Sequence, residues 1–142
     1  MKVFIDTNIF LDFIERRPEG VVEAYAIFGL AAKGSINMLV SDLSIANMKY
    51  STRKTIPISE FYKMIKLSRE LFTIVPIGER AVDRALDLET RDFEDALQYF
   101  SAEYAGADCI VTRNIKDFDF ACTVETVEPR DFLSKYFPNE RS

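Results

Sequence analysis

Apolar and polar positions along the chain fall into two alternating rhythms. Short apolar runs rich in β-branched and aromatic side chains occupy residues 2–6, 35–40, 73–75 and 109–111, and read as buried strands. Between them lie longer segments with apolar residues at helical spacing: 9–14, 20–33, 42–54, 59–71, 79–88, 93–104 and 129–136. Residues 123–125 are predicted as an edge strand, and 112–118 as a loop. Local chemistry supports the boundaries. Ser41, Ser59 and Asp92 can cap the helices after them, Gly34 and Gly106 suit helix ends, Pro57 breaks one segment and Pro129 starts another. Strands alternating with helices predict an α/β protein: a three-layer α/β/α sandwich around a central, mostly parallel, Rossmann-like sheet. The expected organisation is one domain over 1–137, with a frayed tail at 138–142.

Composition narrows the chemistry. Hydrophobic residues are 48 % of the 142, with twelve Phe and six Tyr, enough for a real core. No apolar run can span a bilayer, and the first run breaks at Asp6, too early for a signal peptide, so a soluble cytoplasmic protein is expected. Cys109 and Cys122 lie in β-like stretches and are expected to be buried free thiols. The chain has no histidine. That excludes a Ser-His-Asp triad, a histidine acid/base pair and His-ligated zinc or iron, and two cysteines cannot form a four-cysteine zinc site. A hydrolase built from this alphabet would use carboxylates with Mg²⁺ or Mn²⁺, hard cations that prefer oxygen. The net charge of −5 argues against a broadly basic nucleic-acid surface, although cations neutralise carboxylates gathered at a metal site. No glycine-rich phosphate loop is present.

Polar residues recur where the predicted strands end. Asp6 ends the first strand. Ser41 and Asp42 come after the second, with Asn47 farther into the next helix. Thr112, Asn114 and Asp117 come after the fourth, and Asp95 lies in the first turn of the helix leading into it. In a parallel sheet the loops after the strands share one edge, so Asp6, Thr112, Asn114 and Asp117 converge on one crevice, and Asp95 can point there too because its helix runs antiparallel to the fourth strand. Carboxylates that close repel one another unless a cation lies between them. Each residue also has a structural alternative. Asp6 can terminate the strand and cap the next segment, and Asp92 is better suited to capping than to ligation. Glu94 and Asp95 can complement the helix dipole, and Asp117 can serve a turn.

Three stretches carry a family resemblance: Val3-Phe4-Ile5-Asp6-Thr7-Asn8-Ile9-Phe10-Leu11, Asp92-Phe93-Glu94-Asp95-Ala96-Leu97-Gln98, and Ile110-Val111-Thr112-Arg113-Asn114-Ile115-Lys116-Asp117-Phe118. In this order and separation the chain resembles the PIN domain over nearly its whole length. The resemblance implies a Mg²⁺- or Mn²⁺-dependent ribonuclease, as in toxins of bacterial toxin–antitoxin pairs, commonly a homodimer, with a cognate antitoxin as a further partner. Carried over by position, it implies that Asp6, Asp95 and Asp117 hold metal with Asn114, that Asn8 and Thr112 support them, and that Asp92 and Glu94 flank them. The second family acid, usually Glu, matches Asn47 here, which keeps a carbonyl oxygen but loses a charge and about one bond of reach.

The resulting expectation is hydrolysis of single-stranded RNA by a site of Asp6, Asp95, Asp117 and Asn47. Lys49, Tyr50, Arg53, Arg113 and Lys116 are the candidate RNA contacts, an aromatic among cations being suited to single strands. The competing reading, favoured by Asn47 and the acidic net charge, is a PIN-fold module that binds RNA or a protein without cutting. A phosphatase or receiver chemistry fits poorly, because position 8 is Asn and Val75-Pro76-Ile77 offers no acceptor Asp.

Overall fold

The computed structural model describes residues 1–118, 120 and 123–140; Cys122, expected as a buried thiol, and the end of the predicted tail lie outside them. Strands β1 (Lys2–Ile5), β2 (Asn37–Ser41), β3 (Phe72–Val75), β4 (Cys109–Val111) and β5 (Glu125–Val127) form one parallel sheet in the order β3-β2-β1-β4-β5. The helices are α1 (Thr7–Glu15), α2 (Val21–Ala32), α3 (Asp42–Ser51), α4 (Ile58–Ser68), α5 (Gly78–Leu88), α6 (Phe93–Tyr104) and α7 (Pro129–Tyr136).

Strand alternation sorts the core into two faces. Val3 and Ile5 of β1, with Met38, Val40, Cys109 and Val111, pack against α1, α2, α4 and α7. Phe4, with Leu39 and Ile110, faces α5 and α6 on the other side. The sheet is therefore the middle layer of an α/β/α sandwich, as the strand–helix alternation predicts. Phe10 packs edge-on against Phe28 and Phe72, at centroid distances of 5.1 and 5.3 Å, and Phe13 stacks on Phe28 at 3.9 Å. Edge and offset ring pairs of this kind are worth about 0.5–1.5 kcal/mol each beyond their buried area. Cys109 is a buried free thiol, pushed up to about 12 by burial first and by the charges of Glu125 and Asp108 next, so it is inert.

Some boundaries differ from those expected. Helix α4 starts at Ile58 on the residue Pro57 and not on a Ser59 cap: the Pro57 carbonyl accepts from the Phe61 amide, and no side chain caps the turn. The edge strand lies two residues later than predicted, at Glu125–Val127, because buried Val127 pairs with Val111 and its carbonyl accepts the Thr112 amide. Part of the loop after β4 winds into a 3₁₀ turn, Ile115–Phe118, which buries Phe118. In the predicted tail, Pro138–Glu140 form another such turn, and Glu140 pairs with Lys33 at 2.7 Å. Among the described residues no helix is long and apolar enough to cross a membrane.

The order of the strands places the crevice. From β1 the chain steps one way to β2 and β3, then returns to lay β4 and β5 on the other side of β1. The β1/β4 junction is thus the switch point, where ligands bind in open α/β sheets. Asp6 comes directly after β1 and Thr112 directly after β4, and the Asp6 amide donates to the Val111 carbonyl at 3.0 Å.

A buried ion pair fixes the loop after β4. Asp12 is fully buried amid the apolar residues of α1. The Arg113 guanidinium donates to both its oxygens, Nε to Oδ2 at 2.7 Å and Nη2 to Oδ1 at 2.9 Å. Such a planar two-point contact is geometry only Arg provides. Gly20, at the start of α2, leaves room for it: a Cβ there would lie 2.0 Å from Asp12 Oδ2 and 3.3 Å from Arg113 Nε. Gly20→Ala should therefore displace the carboxylate and cost about 3 kcal/mol, the scale of a broken buried pair. Gly29→Ala, at a helical position with nothing within 4 Å, should stabilise by up to about 1 kcal/mol. Urea denaturation of the two variants checks the contrast; equal midpoints would contradict it.

Candidate metal centre

Asp6 sits at the hinge between β1 and α1. Its backbone is extended, its carboxylate accepts the Thr7 amide at 2.8 Å, and only 6 % of the residue is exposed. It is thus both the helix cap and the candidate ligand; the two alternatives of the sequence reading coincide in one side chain. A buried carboxylate needs donors. Thr112 supplies one, its Oγ1 donating to Asp6 Oδ2 at 2.9 Å, and the same hydroxyl accepts the Asn114 amide at 3.0 Å. One fully buried hydroxyl therefore ties the loop after β4 to the end of β1.

Helix α6 brings the next group. Asp92 caps it, accepting the Asp95 amide at 3.2 Å. Asp92, Asp95 and Asp117 can each offer a carboxylate oxygen such that all lie within 4.8 Å of one another. Asp95 also lines a cavity of about 260 Å³ with Asp6, Asn8, Asn47, Tyr50, Glu94 and Asn114. Asp95 is thus shared. It lines the cavity with Asp6 and belongs to the trio with Asp92 and Asp117, whereas Asp117 is not among the residues that line the cavity. Asp117 is exposed on the 3₁₀ turn, and its amide donates to the Asn114 carbonyl at 3.0 Å. On the facing helix α3, the Asn47 amide donates to the Glu94 carboxylate.

Beneath the cavity runs a buried polar network that the sequence reading did not assign. Gln98 Oε1 accepts from Ser41 Oγ at 2.6 Å, and Gln98 Nε2 donates to Ser44 Oγ at 3.0 Å. Ser44 Oγ also shares a 2.7 Å hydrogen bond with Thr7 Oγ1. Gln98 stands one helical turn from Asp95, Ser44 one turn from Asn47, and Thr7 directly after Asp6. The network therefore joins three of the four segments that carry the site, the loop after β4 being tied in separately through Thr112. The signal available in the sequence was a polar residue three positions from Asp95 and from Asn47, on the same helix face.

The candidate RNA contacts separate. Arg113 is held by Asp12 and serves the fold, a role the sequence reading did not give it. Lys49 lies over the Phe61 ring at 5.8 Å and lines a different, apolar cavity. Tyr50 is 66 % exposed at the lip of the acidic cavity, with the Arg53 guanidinium stacked on its ring at 3.8 Å. Lys116 is exposed on the same 3₁₀ turn as Asp117.

The electrostatics are those of crowded like charges. Burial pushes the Asp6 carboxyl up against the opposing hydrogen bonds of Thr112 and Thr7, and the charges of Glu94 and Asp92 add to the rise. Glu94 is raised by burial and then by Asp92. Asp95 is pushed up to about 8, by burial first, then by its hydrogen bond with Asp92 and the charges of Asp6, Asp92 and Asp117. Among the described residues, no Lys or Arg forms a salt bridge to any of these carboxylates. An all-oxygen donor set with unneutralised charge fits Mg²⁺ or Mn²⁺.

The chain and its fold have known relatives. The family model of the PIN domain matches residues 2–116. The fold is similar to a chain of VapBC2 from Rickettsia felis bound to a promoter DNA fragment, with TM-score 0.67 and 20 % identity, covering 89 % of this chain and 97 % of that one. It is also similar to a chain of a toxin–antitoxin complex from Klebsiella pneumoniae, with TM-score 0.63, 21 % identity and the same coverage. A third is a chain of FitAB bound to an IR36 DNA fragment, with TM-score 0.60 and 17 % identity, covering 89 % and 94 %. No curated protein matches the chain.

Asp95 makes stability depend on pH. Its folded pKa of about 8 lies above the ordinary 3.8, so the folded protein keeps a proton that the unfolded chain releases between those values. The stability this contributes is complete below 3.8 and is lost as pH rises towards 8. Without divalent cations, the melting temperature should fall from about pH 5 to about pH 8, and Asp95→Asn should flatten that slope. Added Mg²⁺ should stabilise more at the upper end. Thermal melts across the range check this; an unchanged slope in Asp95→Asn would contradict it.

Proposed function

The chain belongs to the PIN domain family, and on that premise we propose that it is a Mg²⁺- or Mn²⁺-dependent endoribonuclease acting on single-stranded RNA, the toxin of a toxin–antitoxin pair. PIN domains are generally nucleases. The observation that carries the reading is the meeting of Asp6 and Asp95 across one cavity, with Asp92 and Asp117 beside them and no basic partner among the described residues.

Each residue has a task in this reading. Asp6 and Asp95 hold the cation in the crevice, with Asn114 contributing an oxygen from the loop and Asp117 adding negative charge beside Asp95. A bound Mg²⁺ or Mn²⁺ would supply an acidified water and offset charge on the scissile phosphodiester. Thr112 keeps the Asp6 carboxylate aimed by one buried hydrogen bond. Asn8 lines the same cavity. Tyr50 offers an exposed ring against which a base can stack, and Arg53 beside it a charge for the phosphate chain. Lys116, exposed on the turn that carries Asp117, gives a second cation.

A solved neighbour is the toxin–antitoxin complex from Klebsiella pneumoniae, which supports a protein antitoxin as partner, and a homodimer is the expected state of the toxin. The second reading, a module that binds without cutting, rests on Asn47: it brings no charge, and its amide is already engaged by Glu94.

Asp6→Asn and Asp95→Asn should each lower Mn²⁺-dependent cleavage of a single-stranded RNA by at least about a hundredfold, the scale for losing a principal electrostatic stabiliser. Cleavage at the unmodified rate in both variants would overturn the assignment. Specific RNA binding without any cleavage would favour the second reading.

A further inference from the structure

The contact between Asn47 and Glu94 links two helices across the mouth of the acidic cavity. Asn47 projects from α3 and Glu94 from the first turn of α6. Both line the cavity with Asp6 and Asp95, and the Asn47 amide donates to Glu94 Oε1. Glu94 is an exposed residue on a long, flexible side chain. The neighbouring charges of Asp92 and Asp6 repel it. Left alone, such a side chain relaxes into solvent, away from like charge. Here it is retained beside Asp6 instead.

The chemistry of the retaining group matters. Lys or Arg at position 47 would hold Glu94 and cancel its charge. A carboxylate there would repel it. An amide is neutral and donates, so it fixes the carboxylate while leaving its negative charge intact and its other oxygen uncommitted among the described hydrogen bonds. A Glu carboxylate has about four lone-pair sites, of which this contact uses one.

We propose that Glu94 is a ligand of the cation site and that Asn47 is the residue that positions it, the two acting as one unit that places a charge from α6 where α3 itself has none. The proposal rests on the cation-dependent reading given above. It changes what Asn47 signifies: the amide at this position is the holder of the missing charge. The cation would then face three carboxylates at the cavity, from Asp6, Asp95 and Glu94. Ligand charge count is the main control on affinity for hard divalent cations.

Calorimetric titration of the full chain with Mn²⁺ tests it. Glu94→Gln should weaken Mn²⁺ binding by about tenfold or more. The exchanged pair, Asn47→Glu with Glu94→Gln, keeps an amide and a carboxylate in contact with their places swapped, and should restore affinity to within about threefold. Asp6→Asn should abolish binding in every background. Mn²⁺ binding that is lost in Asp6→Asn but unchanged within about twofold in Glu94→Gln overturns this proposal and leaves the metal-dependent reading standing. A loss in Glu94→Gln that the exchange fails to restore overturns the pairing. No binding by the unmodified chain overturns both readings together.

Discussion

Like-charge crowding at the carboxyl edge of the sheet is the constraint around which the rest of the molecule is arranged. Asp6, Asp92, Glu94, Asp95 and Asp117 come from three separate segments, and their mutual repulsion adds to burial in raising the pKa values of Asp6, Glu94 and Asp95. A chain free to relax would spread them. The fold prevents this with interactions that do not neutralise them. Thr112 donates a hydroxyl to Asp6, Asp92 accepts the Asp95 amide, and Asn47 donates an amide to Glu94. Neutral donors hold these carboxylates in place while cationic side chains are kept for other work, as Arg113 is kept by Asp12. The protein thereby carries a destabilising cluster, the usual mark of a site held for function.

Rigidity comes from a second layer that is buried and fully paired. Gln98, Ser44, Ser41 and Thr7 are bound to one another under the cavity, so α6, α3 and the start of α1 cannot shift independently. Among the described residues no buried side-chain polar atom lacks a partner. Satisfied networks of this kind specify one arrangement, whereas a half-satisfied one would be costly. The Arg113–Asp12 pair does the same for the loop that presents Thr112 and Asn114.

Much of this was legible in the chain because it depends on local pattern. Short apolar runs ending in Asp6 and Thr112 locate strand ends, and parallel strands bring those ends to one edge. The register of β5 was not legible, since Thr123-Val124-Glu125 and Glu125-Thr126-Val127 are equally good β-formers and only the pairing of Val127 with Val111 decides. The start of α4 is not legible either, because Ser59 offers a cap on composition, while Pro57 sets the turn through its backbone. Arg113 resembles an RNA contact in the sequence because its partner, Asp12, lies 101 positions away. The available clue was Asp12 itself, a lone charge inside the apolar run 9–14. Glu94 was assigned a flanking place for a related reason: its contact with Asn47 spans 47 positions and needs the packing of α3 against α6.

The central question is whether these carboxylates enclose a cation. A crystal soaked in Mn²⁺ and measured for anomalous scattering addresses that directly. The predicted result is a peak inside the cavity within about 2.5 Å of oxygens from both Asp6 and Asp95, a normal ligand distance for a hard divalent cation. A saturating soak that leaves the cavity without a peak, or places it on surface carboxylates elsewhere, would contradict the central claim.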